Sequence, residues 1–402
     1  MVVGTCGFFD QLFPTSALAQ QQSPPGKLNI ALIGQGSMGR AHSNAWSQVN
    51  RFFTVPIKPT LHTVYGLPRE NTAAFAERWG WQNASNHWES LVQSPEIGLV
   101  DIVTPNFMHA PPVLATLAAG KPCACEKPMG GTLADARTMA EAAKKAGVDT
   151  FVWYNYRRAP AVALAHKMVK DGVIGDVRHV RATYLQGWAT EGVSLSWRFK
   201  KELAGSGAHG DLNSHIVDMT RFVTGLEVET VCGAVAKTFV KQRKDGDKMG
   251  DVTVDDTVLF TVEYNNGAVG SYEAARQATG NKNANAWEIN GTKGALKFNF
   301  EQMNTLQYFD ATRPPEVQGW TPIMCTRSGA HPYAANYWGD AHIIGYEHCF
   351  ISMAYDILLK LAGKEPTVPL PDFNDAYQTH RVLEAALIAA TEKRWVALKE
   401  VT

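Results

Sequence analysis

The sequence predicts an α/β fold in which a doubly wound parallel sheet forms the N-terminal part and a second, α+β domain with mostly antiparallel strands forms the rest. Three observations carry this expectation. In KLNIALIGQGSMGRAHSNAW, residues 27–46, an apolar run leads into a glycine turn and then into helix formers. Behind it, apolar runs alternate with helical patterns to about residue 150. Beyond that point the runs lengthen, alternate with period two and are separated by turn glycines.

Gly34, Gly36 and Gly39 stand in the GxGxxG spacing between a strand and a helix, the context in which that spacing signals a dinucleotide site. Gly34 permits a tight turn, Gly36 leaves room for a pyrophosphate, and Gly39 lets the helix lie close to the strand. Ser37 and Met38 belong to the same turn and are expected to touch cofactor. The alternation continues with a strand in TLHTVYG (60–66), a helix through ENTAAFAERWG, a strand in LVDIVTP (99–105), a helix in PPVLATLAAG, a strand before Glu126 and a helix in LADARTMAEAAKKAG. Strands alternating with helices imply a parallel sheet.

Ligands of such sheets bind outside the carboxyl ends of the strands. Thr104, Pro105 and Asn106 should therefore share one crevice with the glycine turn and with Glu126, Lys127 and Pro128. His109 is expected either to reach cofactor or substrate there or simply to pack, and His42 to cap or pack. An acid at the end of the second strand normally holds the ribose of NAD. Here Gly66 occupies that point and Arg69 follows, so the residues leave NAD and NADP both open.

In the second half, strands are expected over 177–188, 253–264 and 268–277, with a hairpin over 286–300. Between the first two lies GSGAHGDLNSHIVDMTRFVTG, read as glycines followed by a helix from Asp211 to Thr224 that stops at Gly225. Asp211 and His215 are four apart, which places them on one face of that helix. An alcohol that loses hydride must also lose its hydroxyl proton, and histidine is suited to take it.

Tyr184, Gln186 and Trp188 alternate on one strand face and offer aromatic and polar contacts to a ligand. Arg198 in the following loop, Arg157 at the junction NYRRAP and His331 on the far side are further candidates for substrate contact. DFNDAYQTHRVLEAALIAATEKRW has a 3.6-residue period, so a helix over 372–394 is expected to pack back on the first domain as an amphipathic cover.

Bulk properties limit the alternatives. A chain of 402 residues suits two domains, read as 27–150 and 151–402. With 38 basic and 38 acidic residues it lacks the excess positive charge that nucleic acid or an anionic membrane would favour. No apolar run reaches membrane-spanning length. The six cysteines form no CxxC pair, which argues against zinc and a disulfide framework. Residues 1–26 read as a tail or the remnant of an export signal, because PTSALAQQQSPPG resembles a cleavage site while no Lys or Arg precedes Lys27. A cytoplasmic location is expected, with export to the periplasm as the alternative.

GQGSMG, VTPNFMHA, CEKPMG and GSGAHGDLNSHIVD together resemble the family of glucose-fructose oxidoreductase and inositol dehydrogenase, also named with the MocA proteins. The resemblance implies a Rossmann domain, a second domain built on a large open sheet, and oxidation or reduction of a sugar or polyol hydroxyl with NAD or NADP. It assigns proton transfer to His215, with support from Lys127 and Asp211, and implies a cis Lys127–Pro128 bond. It also implies chemistry without a metal, and association through the sheet as a homodimer or homotetramer.

YLQGW (184–188), WRF, HPYAANYW and IGYE are similar to the subgroup of levoglucosan dehydrogenases and trehalose-utilisation sugar dehydrogenases, which act at the third ring carbon. Gly187 and Asn213 depart from the subgroup pattern, where Asp and Gly are usual. The expected function is an NAD(P)-dependent dehydrogenase of a pyranose or glycoside. The rivals are a glycoside-cleaving enzyme that uses tightly bound NAD for transient oxidation, and a dinucleotide sensor without chemistry.

Overall fold

The structure is a computed structural model that describes residues 26–402. The reading of the N-terminal tail as an export remnant lies outside the described residues.

Strands β1 (Gly26–Ile33), β2 (Ile57–Tyr65), β3 (Asn83–Ser85), β4 (Leu99–Ile102), β5 (Cys123–Cys125) and β6 (Thr150–Val152) form a six-stranded parallel sheet in the order β3-β2-β1-β4-β5-β6. The order reverses direction beside β1, which opens a crevice at the carboxyl ends of β1 and β4. Helices α1 (Ser37–Phe52), α2 (Arg69–Trp79), α3 (Trp88–Gln93), α4 (Ala110–Ala118) and α5 (Leu133–Ala146) connect the strands. β1 reads as a continuous apolar run because both its faces are covered: Ile30 and Leu32 enter one core, Ala31 and Ile33 the other. A boundary at residue 150 cuts β6, whose parallel pairing with β5 moves the junction to the segment after Val152.

The glycine turn is fixed by close approach. Gly34 has φ +128°, and a Cβ on Gly39 would lie 2.6 Å from the Gly34 carbonyl oxygen. A side chain at position 39 would therefore push α1 off β1.

The second domain begins with α6 (Pro160–Lys170) and is built on a nine-stranded sheet. Its strands are β7 (Val177–Leu185), β8 (Val228–Lys237), β11 (Thr257–Tyr264), β12 (Val269–Ala275), β13 (Ala284–Gly291), β14 (Gly294–Asn299), β15 (Thr305–Asp310), β16 (Trp320–Met324) and β17 (Val396–Ala397). A separate hairpin, β9 (Gln242–Asp245) and β10 (Lys248–Asp251), lies outside it. The order is β16-β15-β14-β13-β7-β12-β11-β8-β17, antiparallel except where β12 runs parallel to β7. Along β11 the residues alternate: Val258, Phe260, Val262 and Tyr264 are buried, while Leu259 and Glu263 face outward. That period fits a sheet covered by helices on one face only.

The remaining helices are α7 (Lys201–Ala204), α8 (Ser214–Thr224), α9 (Ala334–Tyr337), α10 (Tyr346–Leu361) and α11 (Phe373–Glu392); α6, α8 and α11 pack against the sheet, whereas α10 packs on α1 of the first domain. α11 is tied to the first domain at its start, where Thr150 Oγ1 accepts the Phe373 N–H at 3.2 Å and Pro371 O accepts the Val152 N–H at 2.9 Å. Further along, His380 Nε2 accepts the Gly130 N–H at 3.2 Å. The expected single helix from Asp211 to Thr224 is revised: His209–Asn213 form a π-helical turn that leads into α8. Asp255 holds its start, since its carboxylate oxygens accept the Gly207 and His209 N–H groups at 2.8 Å each. The wider turn re-aims Asp211 relative to an α-helix.

Candidate active site

One cleft of about 1120 Å³ runs from the glycine turn, past the carboxyl ends of β4 and β5, to the ends of β7 and β12 in the second domain. Gly34, Gln35, Gly36, Ser37 and Met38 line one end, followed by Thr104, Pro105, Asn106, Glu126 and Lys127. Asp211, His215, Tyr184, Gln186, Trp188 and Arg198 line the wall of the second domain.

Lys127 reaches across the seam between the domains. Its ammonium donates to Asp211 Oδ1 at 2.9 Å and to the Asp211 backbone oxygen at 3.0 Å. The peptide bond from Lys127 to Pro128 is cis, as is that from Leu67 to Pro68. Arg276 Nη2 donates to Asp211 Oδ2 at 2.8 Å, and Arg198 Nη1 lies 3.9 Å from the same oxygen. Burial pushes the Asp211 carboxyl up, but Lys127, Arg276 and Arg198 outweigh it and hold the group well below the usual carboxylate range. Asp211 is thus an anion held among three cations.

His215 is buried beside this pair, its ring 4.4 Å from the Tyr156 ring and its Nδ1 without a hydrogen-bond partner. Burial pushes its pKa well down and Lys127 adds to the effect, with Asp211 opposing. The imidazole is therefore neutral at neutral pH and can accept a proton.

Polar side chains connect along the far wall. Tyr156 and Tyr184 hydroxyls are 3.1 Å apart, and Tyr184 donates to Asn283 Oδ1 at 2.7 Å. Gln186 Nε2 donates to the same oxygen at 2.8 Å, while Gln186 Oε1 accepts the Trp188 indole N–H at 2.7 Å. Burial raises the Tyr184 hydroxyl to about 12, so it remains a neutral donor.

The glycine end fits a dinucleotide. Gly36 begins α1 with no side-chain cap and no acid in the first turn, so the helix N–H groups are free for an anion. A Cβ on Gly36 would meet nothing within 4 Å, whereas Gln35 Oε1 is buried on the cleft wall without a partner. Space, free donors and an orphaned acceptor together suit the pyrophosphate and adjoining groups of a nicotinamide dinucleotide.

Five expected site residues lie elsewhere. His109 is buried behind the cleft, where its Nε2 is 2.8 Å from Thr104 O and its Nδ1 is 3.1 Å from Pro128 O. It joins the two turns instead of touching a ligand. Arg157 is buried in an ion-pair cluster with Asp218 and Asp375, which turns both it and Asp218 away from the cleft. His331 is buried beside Tyr333, with both ring nitrogens unpartnered, and does not reach the cleft. Arg69 is exposed at the start of α2, off the cleft lining. Gly39 packs beneath the turn and acts by being small.

Tyr156, Arg276, Asn283, Phe300 and Tyr346 line the cleft and were not singled out from the sequence. Arg276 carried a signal: a charge at the end of an otherwise alternating strand, β12, next to small residues.

Fold and site together define a dinucleotide-dependent oxidoreductase. The family model described as an oxidoreductase family with an NAD-binding Rossmann fold matches residues 28–154, and that of the GFO/IDH/MocA C-terminal domain matches 162–297. A levoglucosan dehydrogenase from Pseudarthrobacter phenanthrenivorans is 37% identical over 393 residues, covering 93% of this chain and 99% of that protein. The chain belongs to the GFO/IDH/MocA oxidoreductase family.

Among solved structures, an oxidoreductase domain protein from Kribbella flavida superimposes with TM-score 0.89 at 44% identity, over 93% of this chain and 99% of that one. A levoglucosan dehydrogenase in complex with NADH and levoglucosan superimposes with TM-score 0.88 at 38% identity, over 92% and 99%. No helix among the described residues is long and apolar enough to cross a membrane.

Proposed function

We propose that the protein is an NAD-dependent dehydrogenase that oxidises a secondary hydroxyl of a pyranose sugar or simple glycoside, at ring carbon 3. The observation that carries this reading is the Lys127–Asp211 contact at 2.9 Å beside a neutral His215 whose Nδ1 has no partner, in the same cleft as a glycine turn that opens α1 without a side-chain cap.

The glycine turn and the Thr104-Pro105-Asn106 turn would hold the dinucleotide, which supplies the hydride acceptor when bound. This chain's own residues manage the proton. An ammonium has three donors. Two are committed to Asp211, which leaves one N–H of Lys127 to bond the reacting oxygen and stabilise its negative charge as the proton departs. His215 accepts that proton. Asp211 keeps the lysine charged and aimed, while Arg276 balances the second carboxylate oxygen.

The remaining hydroxyls face Asn283, Gln186 and Arg198. Asn283 Oδ1 already accepts two hydrogen bonds, so its amide N–H groups are available to substrate oxygens. The Trp188 ring, with Arg276 5.4 Å from its centroid, offers an apolar platform for sugar C–H groups. The sugar class is supported by the similarity to levoglucosan dehydrogenase, and ring carbon 3 by the subgroup motifs at 184–188 and 331–338.

The outward face of the large sheet exposes Val235, Leu259 and Val269, which supports assembly of copies through that face as a homodimer or homotetramer. The test of the function is a screen of pyranoses, anhydrosugars and disaccharides with NAD and NADP, following reduced cofactor and the sugar product. A keto sugar formed in step with NADH supports the reading. Release of free sugar without net NADH identifies a glycoside-cleaving enzyme instead, and tight cofactor binding without turnover across the panel identifies a sensor.

A further inference from the structure

Beneath the cleft floor, His42 from α1 is fully buried between two carboxylates. Its Nδ1 lies 2.9 Å from Asp101 Oδ2 and its Nε2 lies 2.9 Å from Glu126 Oε1. Asp101, 0% exposed at the heart of β4, also accepts the indole N–H groups of Trp46 at 2.8 Å and Trp153 at 2.9 Å. Glu126 turns its other oxygen to the backbone N–H of Lys127 at 2.9 Å.

An imidazole with a carboxylate at each nitrogen satisfies both only as a donor at both, which means as the cation. Burial alone would push the ring down, but Asp101 and Glu126 outweigh it and raise it to about 9. The three side chains therefore hold two negative charges and one positive charge, shielded from water. Their sum is one negative charge, and Glu126 brings it to the cleft wall beside Lys127.

None of the three is needed to move the substrate proton. Burying charges is costly even when they are paired. The surplus anion has a use if the cleft holds a nicotinamide. The oxidised ring is a cation and the reduced ring is neutral, so a fixed negative charge nearby discriminates between them. The ring must lie near Lys127, because the carbon that gives up hydride bears the oxygen that Lys127 holds.

We infer that the Asp101–His42–Glu126 triad sets the relative affinity of the cleft for oxidised and reduced cofactor, with His42 as the positioning residue that holds the net charge at one. The inference rests on the dinucleotide reading of the cleft. It does not depend on which sugar is oxidised.

The test is direct titration of the full chain with NAD⁺ and with NADH, giving the ratio of their dissociation constants at neutral pH. Glu126→Gln removes one negative charge and raises the ratio Kd(NAD⁺)/Kd(NADH), on the order of tenfold for one charge at close range in a medium of intermediate dielectric. Asp101→Asn moves the ratio in the same direction and serves if the first variant does not fold. His42→Gln removes the cation and moves the ratio the opposite way.

A purely structural role would weaken both cofactors alike and leave the ratio unmoved. A ratio within about twofold of wild type in a folded Glu126→Gln or Asp101→Asn protein, well short of the effect of one charge, overturns the inference. So does a shift of the same sign in His42→Gln. Wild-type protein that binds neither cofactor would overturn the dinucleotide reading and this inference with it. Protein that binds both but oxidises no sugar would sink only the substrate proposal.

Discussion

Lys127 and Asp211 come from different domains, yet the Lys127 ammonium donates to both the carboxylate and the backbone carbonyl of Asp211. The contact joins the turn after β5 to the π-helical turn ahead of α8. A flexible four-carbon side chain is thereby reduced to one orientation before any ligand arrives. Preorganisation of this kind is what a group stabilising developing charge requires.

Lys127→Ala should lower turnover by at least about a hundredfold, the range for loss of one charge-stabilising or proton-handling group. NADH affinity should change little, because the glycine turn is untouched. Steady-state kinetics with fluorescence titration of NADH checks both parts, and unchanged turnover would remove Lys127 from its role.

The pH profile follows from His215. In the proposed mechanism its neutral form is the base, and burial with Lys127 nearby places its pKa well below the ordinary value of 6.5. Protonation therefore sets in only well below that pH, so kcat should hold as the pH falls through 6.5 and drop further down. His215→Asn should lose about two orders of magnitude in kcat and show no acid limb of this origin. An acid limb that persists unchanged in the variant assigns it to another group.

Asn283→Ala should raise KM for the sugar more than it lowers kcat, since the residue is placed to hold hydroxyls and not the reacting oxygen. About 1–3 kcal/mol is the cost of leaving polar partners unmet. That corresponds to a rise in KM of roughly 5- to 150-fold. A KM equal to wild type would move the substrate away from this wall.

Gly39→Ala tests the close packing of the glycine turn. Its Cβ would sit 2.6 Å from a backbone oxygen, which cannot swing aside as a side chain would. The strain should cost about 1–3 kcal/mol of stability and weaken NADH binding, read by thermal melting and titration. Wild-type values for both would mean that the turn is looser than its geometry indicates.

Asp356→Ala tests the second domain's buried charge. Asp356 is 0% exposed, accepts two N–H bonds from Arg158 at 3.1 Å, accepts the Thr367 N–H at 2.8 Å and takes the Tyr333 hydroxyl. Removing it strands a guanidinium in the core, which should cost about 3–5 kcal/mol. Denaturant unfolding measures this, and a loss below about 1 kcal/mol would mean that water reaches Arg158.

The local chemistry of the first domain was legible because it is written in consecutive residues. The glycine turn, the Thr104-Pro105-Asn106 turn and the Glu126-Lys127-Pro128 turn each need a particular backbone at a strand end, and position along the chain places them in one crevice. What the sequence concealed depends on partners far apart in it. Arg157 was expected at the cleft because it is charged and lies at the junction, but Asp218 and Asp375 claim it from α8 and α11. His331 was read as a substrate contact and His109 as either a ligand contact or a packing residue, and only tertiary packing shows that both are buried away from the cleft surface. Asp211 and His215, expected on one helical face, both line the cleft, but the π-turn that carries Asp211 follows from Asp255, some forty residues later, gripping two backbone N–H groups. Arg276 and Asn283 enter the site only because β12 and β13 flank β7 in the sheet, a pairing that local periodicity does not specify.

The most direct measurement is transfer of deuterium from a pyranose labelled at ring carbon 3. With unlabelled NAD and a substrate found in the sugar screen, mass spectrometry of the nicotinamide product should show the label carried over in full, at a rate that collapses in Lys127→Ala. Unlabelled NADH, or label retained in a released sugar, would contradict the account.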